Sequence, residues 1–394
     1  MRRRRAFFYV QHLLGIGHLR RTSMIANALA AQGVDVTLAS GGFPVQGLRV
    51  EGIHFVQLPP AAAADFTFKA IVDEHKMPIE DEWRSRRRAL LLDAWRASDP
   101  HVVVVELFPF GRRQMRFELV PLLDAVAKAE RRPLVVSSVR DVLGSGQKNP
   151  ARQDEMLEMF ERYFDHVLVH GDPAVIPFGT TFRHADKITQ KLHYTGYVAE
   201  SASPQAGRDG AGLASDPEVI VSAGGGAVGM WLFETAIRAR TLSVMGNATW
   251  RILCGVNTPA ADFGHIAEMA RSLGKDRVIV ERAREDFPAL LARCAVSISQ
   301  AGYNTMLDIL QAGARSVVVP FAGGGEIEQT VRALAFAEQG LVEMVSEEEL
   351  TPQRLAAAVD RAALAPRPIC GRVDLQGAGR SAELLCDWMR EWKW

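Results

Sequence analysis

Val102-Val103-Val104-Val105-Glu106 decides the fold. Four consecutive β-branched residues present apolar side chains to both faces of a strand, so both faces need cover, as in a parallel sheet between two helix layers. Working outward, this strand reads as 101–106, and similar short runs occur at 6–11, 34–39, 53–57, 134–138 and 166–170. Between them, apolar residues recur at helical spacing near 18–32, 84–97, 114–129 and 151–161. Such alternation reads as βα units and places the chain in the α/β class. The stretch from 59 to 88 breaks the rhythm and reads as an excursion.

A composition break follows Tyr197. Residues 199–217 are small, polar and rich in Gly and Pro, which is linker chemistry. The pattern then restarts, with strands near 218–222, 250–254, 277–280, 295–298, 315–319 and 341–344. The expected organisation is a first Rossmann-like domain at 1–198, a linker at 199–217, a second such domain at 218–379 and a closing amphipathic helix at 380–394. That helix is expected to pack back toward the first domain, with Trp388 and Trp392 as packing anchors, because large aromatics chiefly bury area. Ligands of open α/β sheets bind outside the carboxyl ends of the strands. Two such domains are therefore expected to face each other across a cleft walled by strand ends.

The 394 residues carry 46 Lys and Arg against 46 Asp and Glu, a formal charge of zero. That argues against a dedicated nucleic-acid binder, whose phosphate contacts need a basic excess. Cys254, Cys294, Cys370 and Cys386 lie far apart and form no C-x-x-C pair, which suits a reducing compartment. After Arg2 to Arg5 the apolar run ends at Gln11, too short for a signal peptide. No window reaches the roughly 18 consecutive apolar residues of a membrane span. A cytoplasmic location is expected, with peripheral contact to the inner membrane face left open. The arginine runs at 2–5 and 84–88 read as solvated faces rather than lipid contacts.

The residues with chemistry sit just after strands. Gly15-Ile16-Gly17-His18 follows the first strand and leads into a helix, so backbone can approach a ligand there. It is not a dinucleotide fingerprint, because the third glycine position is Arg20 and the second strand ends in Ala39-Ser40-Gly41-Gly42 without a ribose-binding acid. His18 is a candidate general base. Glu106 follows the valines and precedes Arg112, Asp141 follows Arg140, and Asp172 follows His170. An ionised carboxylate so near a buried strand needs partners. Structural pairing and a role in the cleft are equally compatible with each.

In the second domain, Ser222-Ala223-Gly224-Gly225-Gly226-Ala227-Val228-Gly229 joins a strand to a helix. Free N–H groups backed by a helix dipole suit a diphosphate. The Lys-Ser/Thr of a Walker A loop is missing. The most specific segment is Ser297-Ile298-Ser299-Gln300-Ala301-Gly302-Tyr303-Asn304-Thr305-Met306-Leu307-Asp308. Asp308 lies one turn beyond Asn304 on the same helix face. An acid among apolar neighbours needs a strong partner, and vicinal ribose hydroxyls would serve. Further on, Gly323-Gly324-Gly325 frees the backbone again, and Glu328 and Gln329 can hydrogen-bond sugar hydroxyls. Asp262-Phe263-Gly264 lacks the rest of a kinase signature, and Asn247-Ala248-Thr249 is a sequon in a chain without a secretion signal.

These motifs, in this order, resemble the GT-B glycosyltransferases, in the MurG-like branch of peptidoglycan N-acetylglucosaminyltransferases. The resemblance is strongest between Ser297 and Gln329. It implies that the loop ending in His18 opens an acceptor domain and that Gly224, Gly225 and Gly226 hold the donor's diphosphate. The family's ribose-binding acid, usually Glu, falls at Asp308, and its paired amides near the donor sugar fall at Glu328 and Gln329. Its base-binding loop falls at 282–285, including Arg284. Gly17, Gly302, Asn304, Thr305, Gly324 and Gly325 complete the implied donor-binding set. The family's usual Gln–Gln pair is Glu–Gln here, which bears on the identity of the donor sugar.

The implied activity is inverting transfer of a sugar from a UDP-GlcNAc-like donor to an acceptor hydroxyl, with His18, Glu106 or Asp141 taking the proton. No acidic pair has metal-binding spacing, so metal-independent catalysis without a cofactor is expected. Closure of the domains is expected to exclude water. The acceptor stays open among a lipid, a glycan, a peptide and a small metabolite. Two alternatives remain: a nucleotide-sugar 2-epimerase using Glu106, Asp141 and Asp172, and a non-catalytic nucleotide-sugar-binding subunit.

Overall fold

The computed structural model describes residues 3–64, 70–144, 149–200, 217–223, 229–256, 258–274, 276–323, 327–369 and 371–392. Most of the expected linker, and the glycines at 224–226 and 324–325, lie outside the described residues. The chain forms two compact units, one of Met1–Ala199 with Asp374–Trp394, the other of Glu200–Val373.

The first unit is built on strands β1 (Arg5–Val10), β2 (Asp35–Ser40), β3 (Ile53–Gln57), β6 (Val102–Glu106), β7 (Leu134–Arg140), β8 (His166–His170) and β9 (Leu192–Tyr194), in sheet order β3-β2-β1-β6-β7-β8-β9. Every pairing is parallel. A separate antiparallel pair, β4 (Ala62–Ala63) and β5 (Ile71–Val72), lies in the stretch read as an excursion. Helices α1 (Gly17–Ala31), α2 (Asp81–Ser98), α3 (Arg116–Ala127) and α4 (Pro150–Tyr163) follow β1, β5, β6 and β7 in turn.

The valine strand shows why the sheet forms. Val103 and Val105, with Phe7 and Tyr9 of β1, enter a core containing Leu122 and Phe160 from α3 and α4. Val102 and Val104, with Ala6, Phe8 and Val10, enter another with Leu19, Ile25 and Leu29 of α1. Successive side chains point to opposite faces, and both faces are buried.

The chain returns to the first unit at Asp374. The last helix therefore starts at Gly377 rather than 380, and it spans Gly377–Glu391. Its Leu385 and Met389 join the α1 core. Trp388 stacks on His166 with ring centroids 4.1 Å apart, and Trp392 Nε1 donates to Arg132 O at 3.0 Å. The junction is stapled by Tyr197 N donating to Asp374 O (2.7 Å) and Gly377 N to Tyr197 O (3.0 Å). Gly196 has φ +78°, and a Cβ there would meet the Asp374 carboxyl at 2.6 Å. Left-handed backbone costs a non-glycine residue about 1–2 kcal/mol. Gly196→Ala should destabilise the protein by at least that much in thermal unfolding, and an unchanged midpoint would contradict the staple.

The second unit repeats the plan with β10 (Glu218–Ser222), β11 (Thr249–Cys254), β12 (Val278–Arg282), β13 (Val296–Ser299), β14 (Ser316–Val318) and β15 (Glu343–Met344). The order is β12-β11-β10-β13-β14-β15, all parallel. Helices α5 (Met230–Ala239), α6 (Ala260–Leu273), α7 (Phe287–Arg293), α8 (Tyr303–Ala312), α9 (Glu328–Glu338) and α10 (Pro352–Leu364) join them, and α11 is the returning helix. Strand order reverses beside β1 in one sheet and beside β10 in the other. Connections on the two sides of such a strand leave to opposite faces, which opens a crevice at its carboxyl end.

Candidate active site

In the first unit that crevice lies between the ends of β1 and β6. Gly17 is the first residue of α1, and His18 follows it with its side chain 12% exposed. His18 Nδ1 lies 2.8 Å from Glu106 Oε1. A carboxylate only accepts, so Nδ1 carries the hydrogen and Nε2 keeps its lone pair. Arg140, the last residue of β7, brings Nη2 to 3.2 Å from Nε2. Burial first, then the charges of Arg112, Arg140 and Arg21, hold the His18 pKa well below its ordinary 6.5. The imidazole is neutral at neutral pH, with its proton on the nitrogen facing Glu106.

Glu106 is 1% exposed and fully engaged. Arg21, one helical turn beyond His18, pairs with Oε1, and Ser138 Oγ donates to Oε2 at 3.0 Å. Ser138 in turn lies 2.8 Å from His170 Nε2, and His170 Nδ1 lies 2.9 Å from Thr195 Oγ1. Burial, with a smaller push from Arg21, keeps His170 well below 6.5 as well. A line of buried hydrogen bonds thus runs across β6, β7, β8 and the chain beyond β9, and it fixes the carboxylate that orients His18. Of the two acids weighed beside His18 as the proton acceptor, Glu106 is placed to orient the base. Asp141 is wholly buried and accepts from Val142 N at 2.9 Å. Asp172 closes a turn by accepting from Ala174 N at 2.8 Å.

A second buried cluster supports the loop before His18. Arg87 and Glu118, both fully buried, form a bidentate pair at 2.7 and 2.8 Å. Tyr9 donates to Glu118, and Arg87 also donates to Gln11 Oε1, Gly41 O and Pro59 O. Burial and the Glu118 charge raise the Tyr9 pKa well above 10.0. The sequence alone reads the arginine run at 84–88 as a solvated face. Arg87 departs from that because Trp83, Arg87 and Leu91 share the inward face of α2 and Glu118 waits there.

In the second unit the crevice lies between β10 and β13. Gly224, Gly225 and Gly226 lie outside the described residues, but the loop's last residue, Gly229, has φ +120° and precedes α5. A Cβ on Gly229 would collide with Ala223 and lie 3.6 Å from Gln300 Nε2. Around these strand ends, Ser222 Oγ, Ser299 Oγ and Gln300 Nε2 are buried without a hydrogen-bond partner among the described residues. Buried polar groups are ordinarily satisfied, so three orphans at one crevice mark a place for a polar ligand. Gly302 precedes α8, whose start carries no side-chain cap. Asn304, Thr305 and Asp308 lie half-buried along that helix.

The remaining donor residues are placed differently. Glu328, expected on sugar hydroxyls, is 8% exposed and pairs with fully buried Arg332 at 2.9 Å. Arg332 also donates to Ala301 O at 3.2 Å, tying α9 to the residue before Gly302. Gln329 Oε1 accepts from Phe321 N at 3.2 Å. Arg284 is exposed and forms a fork with Asp286 at 2.7 and 2.8 Å, which raises its pKa. Gly324 and Gly325 lie outside the described residues. Among the described residues, no group of three or more His, Cys, Asp and Glu could hold a metal ion, and no helix is long and apolar enough to cross a membrane.

Sequence reasoning did not assign roles to Arg21, Ser138, Arg87, Glu118 or Gln300. Arg21 had one signal, its place three residues beyond His18 on the same helix face. The others depend on contacts distant in sequence.

Two parallel-sheet domains with ligand crevices at their strand ends define the GT-B fold. The model of the glycosyltransferase family 28 C-terminal domain matches residues 265–368, within the second unit. The chain is MurG-like. It is 29% identical over 166 residues to the UDP-N-acetylglucosamine--N-acetylmuramyl-(pentapeptide) pyrophosphoryl-undecaprenol N-acetylglucosamine transferase of Brucella anthropi, a match covering 41% of this chain and 44% of that protein. The chain thus spans less than half the length of this curated relative. Among solved structures it is similar in fold to MurG of Acinetobacter baumannii, with a TM-score of 0.59, 12% identity, and 98% and 100% of the two chains covered. A UDP-glucosyltransferase from Polygonum tinctorium aligns over all of both chains with a TM-score of 0.62 and 12% identity.

Proposed function

We propose that the protein is an inverting glycosyltransferase that moves a sugar from a UDP-sugar, of the UDP-GlcNAc type, to an acceptor hydroxyl. The observation that carries this reading is the state of His18: neutral, with its Nδ1 hydrogen held by Glu106 and its Nε2 lone pair, which accepts from Arg140 Nη2 at 3.2 Å, turned to the opposite side where an acceptor hydroxyl can replace that contact. In the step, the acceptor oxygen attacks the anomeric carbon from the face opposite the diphosphate. Its proton passes to His18 Nε2, the bond from the anomeric carbon to the diphosphate oxygen breaks, and UDP leaves with the electron pair. The first unit takes the acceptor and the second the donor. Ser222, Ser299 and Gln300 surround the donor's polar portion, and Asp308 holds its ribose. The mechanism needs no metal, because N–H groups and the α5 start can stabilise the departing diphosphate.

The curated relative's printed activity supports the donor class. Against an epimerase, Glu106, Asp141 and Asp172 are each committed to bonds within the fold. Incubation with UDP-GlcNAc alone separates the readings, since an epimerase needs no acceptor and would yield an isomer. Asp308→Ala should weaken UDP binding about tenfold or more, the expected loss of a charged hydrogen bond. Calorimetry reads this directly, and an unchanged affinity would remove Asp308 from the ribose role.

A further inference from the structure

Both ring nitrogens of His18 face an arginine donor. Arg21 Nη2 lies 3.4 Å from Nδ1, and Arg140 Nη2 lies 3.2 Å from Nε2. Each arginine favours a bare lone pair on the nitrogen it faces. Glu106 Oε1, 2.8 Å from Nδ1, decides the contest by drawing the hydrogen there. The choice of tautomer therefore depends on keeping that oxygen in place, and Arg21 pulls on the same oxygen.

The other oxygen, Oε2, is held by Ser138 Oγ at 3.0 Å. A hydroxyl has one hydrogen to give. A carboxylate only accepts, so the Ser138 hydrogen goes to Oε2, and Ser138 Oγ accepts from His170 Nε2 at 2.8 Å. His170 Nδ1 is then bare, and Thr195 Oγ1 donates to it at 2.9 Å. The reverse order is also geometrically available. In it Thr195 donates to Gly196 O at 2.8 Å, His170 carries its hydrogen on Nδ1, and Ser138 turns to Nε2. That order leaves Oε2 against a hydroxyl lone pair. It gives up a hydrogen bond to a carboxylate for one between neutral groups, which is about half as strong, so the first order prevails. Burial, with the charge of Arg21, keeps His170 from taking a second hydrogen, which would satisfy both orders at once.

Ser138, His170 and Thr195 are all buried, and a buried polar chain is costly unless every link is made. Aliphatic side chains would fill these strand ends without that cost. The line is also anchored at its far end. Thr195 and Gly196 lead into Tyr197, whose N donates to Asp374 O at 2.7 Å where the chain returns to the first unit.

We propose that His170 is a positioning residue for the transfer: with its hydrogen on Nε2 it turns the Ser138 hydroxyl onto Glu106, which then keeps the His18 hydrogen on Nδ1 and the lone pair on Nε2. The proposal rests on His18 being the base of the sugar transfer, and it deepens that reading by naming what selects the tautomer.

The test uses the full chain with 15N-labelled histidine at neutral pH, and it needs neither donor nor acceptor. The 15N resonances should place hydrogen on Nδ1 of His18 and on Nε2 of His170. Exchange of the His18 Nδ1 hydrogen with water is then followed in variants. Ser138→Ala should speed it about tenfold or more, the loss expected for a hydrogen bond to a charged group, while the Val103 and Val104 amides of β6 keep their rates. His170→Leu should speed it less. Adding His170→Leu to Ser138→Ala should change nothing further, because His170 acts through Ser138. Ser138→Thr keeps the hydroxyl and His170→Gln keeps a donor in the place of Nε2, so both should exchange as slowly as the unaltered protein. The proposal is overturned if His170 carries its hydrogen on Nδ1, or if Ser138→Ala or His170→Leu leaves His18 exchange unchanged. Equal acceleration of the β6 amides, or no rescue by Ser138→Thr and His170→Gln, would reduce the line to packing and overturn it as well. UDP calorimetry on Asp308→Ala tests the sugar-transfer reading separately, so failure of one is distinguishable from failure of the other.

Discussion

His18→Ala should lower turnover by about 10²–10⁴-fold, the usual contribution of a positioned general base, while leaving UDP affinity unchanged. The split follows from where the residue sits. His18 belongs to the first unit, and the groups proposed to hold UDP belong to the second. The pH profile gives a sharper check. A base acts in its deprotonated form, so the rate falls as pH drops through its pKa. Burial and three arginines hold that pKa well below 6.5, so activity should be flat from above neutrality down through pH 6.5 and fall only at lower pH. An acid limb near 6.5 for the unaltered enzyme would mean that burial and the arginines do not act on His18. Full activity in His18→Ala would remove it from the reaction and return the role to Asp141 or Glu106.

The sheets were legible in the sequence because each interior strand is buried on both faces. That leaves near-continuous apolar runs such as Val102–Val105, and little else in a globular chain looks like them. The elements that escaped are those too short to carry a pattern. β4 and β5 have two residues each and are strands only by pairing with each other, and β9 has three and is a strand by pairing with β8. The start of the last helix was missed by three residues because Gly377 reads as a loop residue. In the fold it is required, since a Cβ there would press on Gly196 O and on the Tyr197 carbonyl.

The site was legible in outline. Gly15-Ile16-Gly17-His18 and Glu106 stand at neighbouring strand ends, and strand ends are where ligands bind. What could not be read is which acid acts on what. Glu106 followed by Arg112 suggested a pair across a short loop, but the partner of Glu106 is Arg21, 85 residues earlier. Arg112 instead donates Nε to Gln11 O at 2.7 Å, on the loop that leads to His18. Glu328 shows the same limit. Its neighbour Gln329 and the glycines before it suggested a sugar contact, whereas the fold turns the carboxylate onto Arg332 one helical turn away. In both cases a local spacing argument gave the right neighbourhood and missed the partner, because a buried charge pairs with whatever the tertiary fold supplies.

Glu118→Gln should destabilise the protein by about 3–5 kcal/mol, the cost of removing one partner of a buried ion pair. Both Arg87 and Glu118 are wholly inaccessible to water, so the remaining guanidinium could not recover its hydration without opening the α2 and α3 layer. Urea unfolding at neutral pH measures this, and a loss under about 1 kcal/mol, the range of exposed pairs, would contradict the burial. Replacing both residues with apolar ones of similar size, Arg87→Met with Glu118→Leu, is often neutral at an isolated pair. Here it should recover only part of the loss. Arg87 also donates to Gly41 O, Pro59 O and Gln11 Oε1, and the double variant removes that donor from all three, leaving Gly41 O only its bond from Ala61 N, and takes Glu118 from the Tyr9 hydroxyl. Gln11 Nε2 in turn donates to His12 O and Ala61 O, and Gln11 O receives Arg112 Nε. The double variant should therefore lose turnover more than stability, because the loop carrying His18 and the anchor of Arg112 would both be released while the core stays filled. Recovery of full activity along with stability would show that the buried pair only fills space.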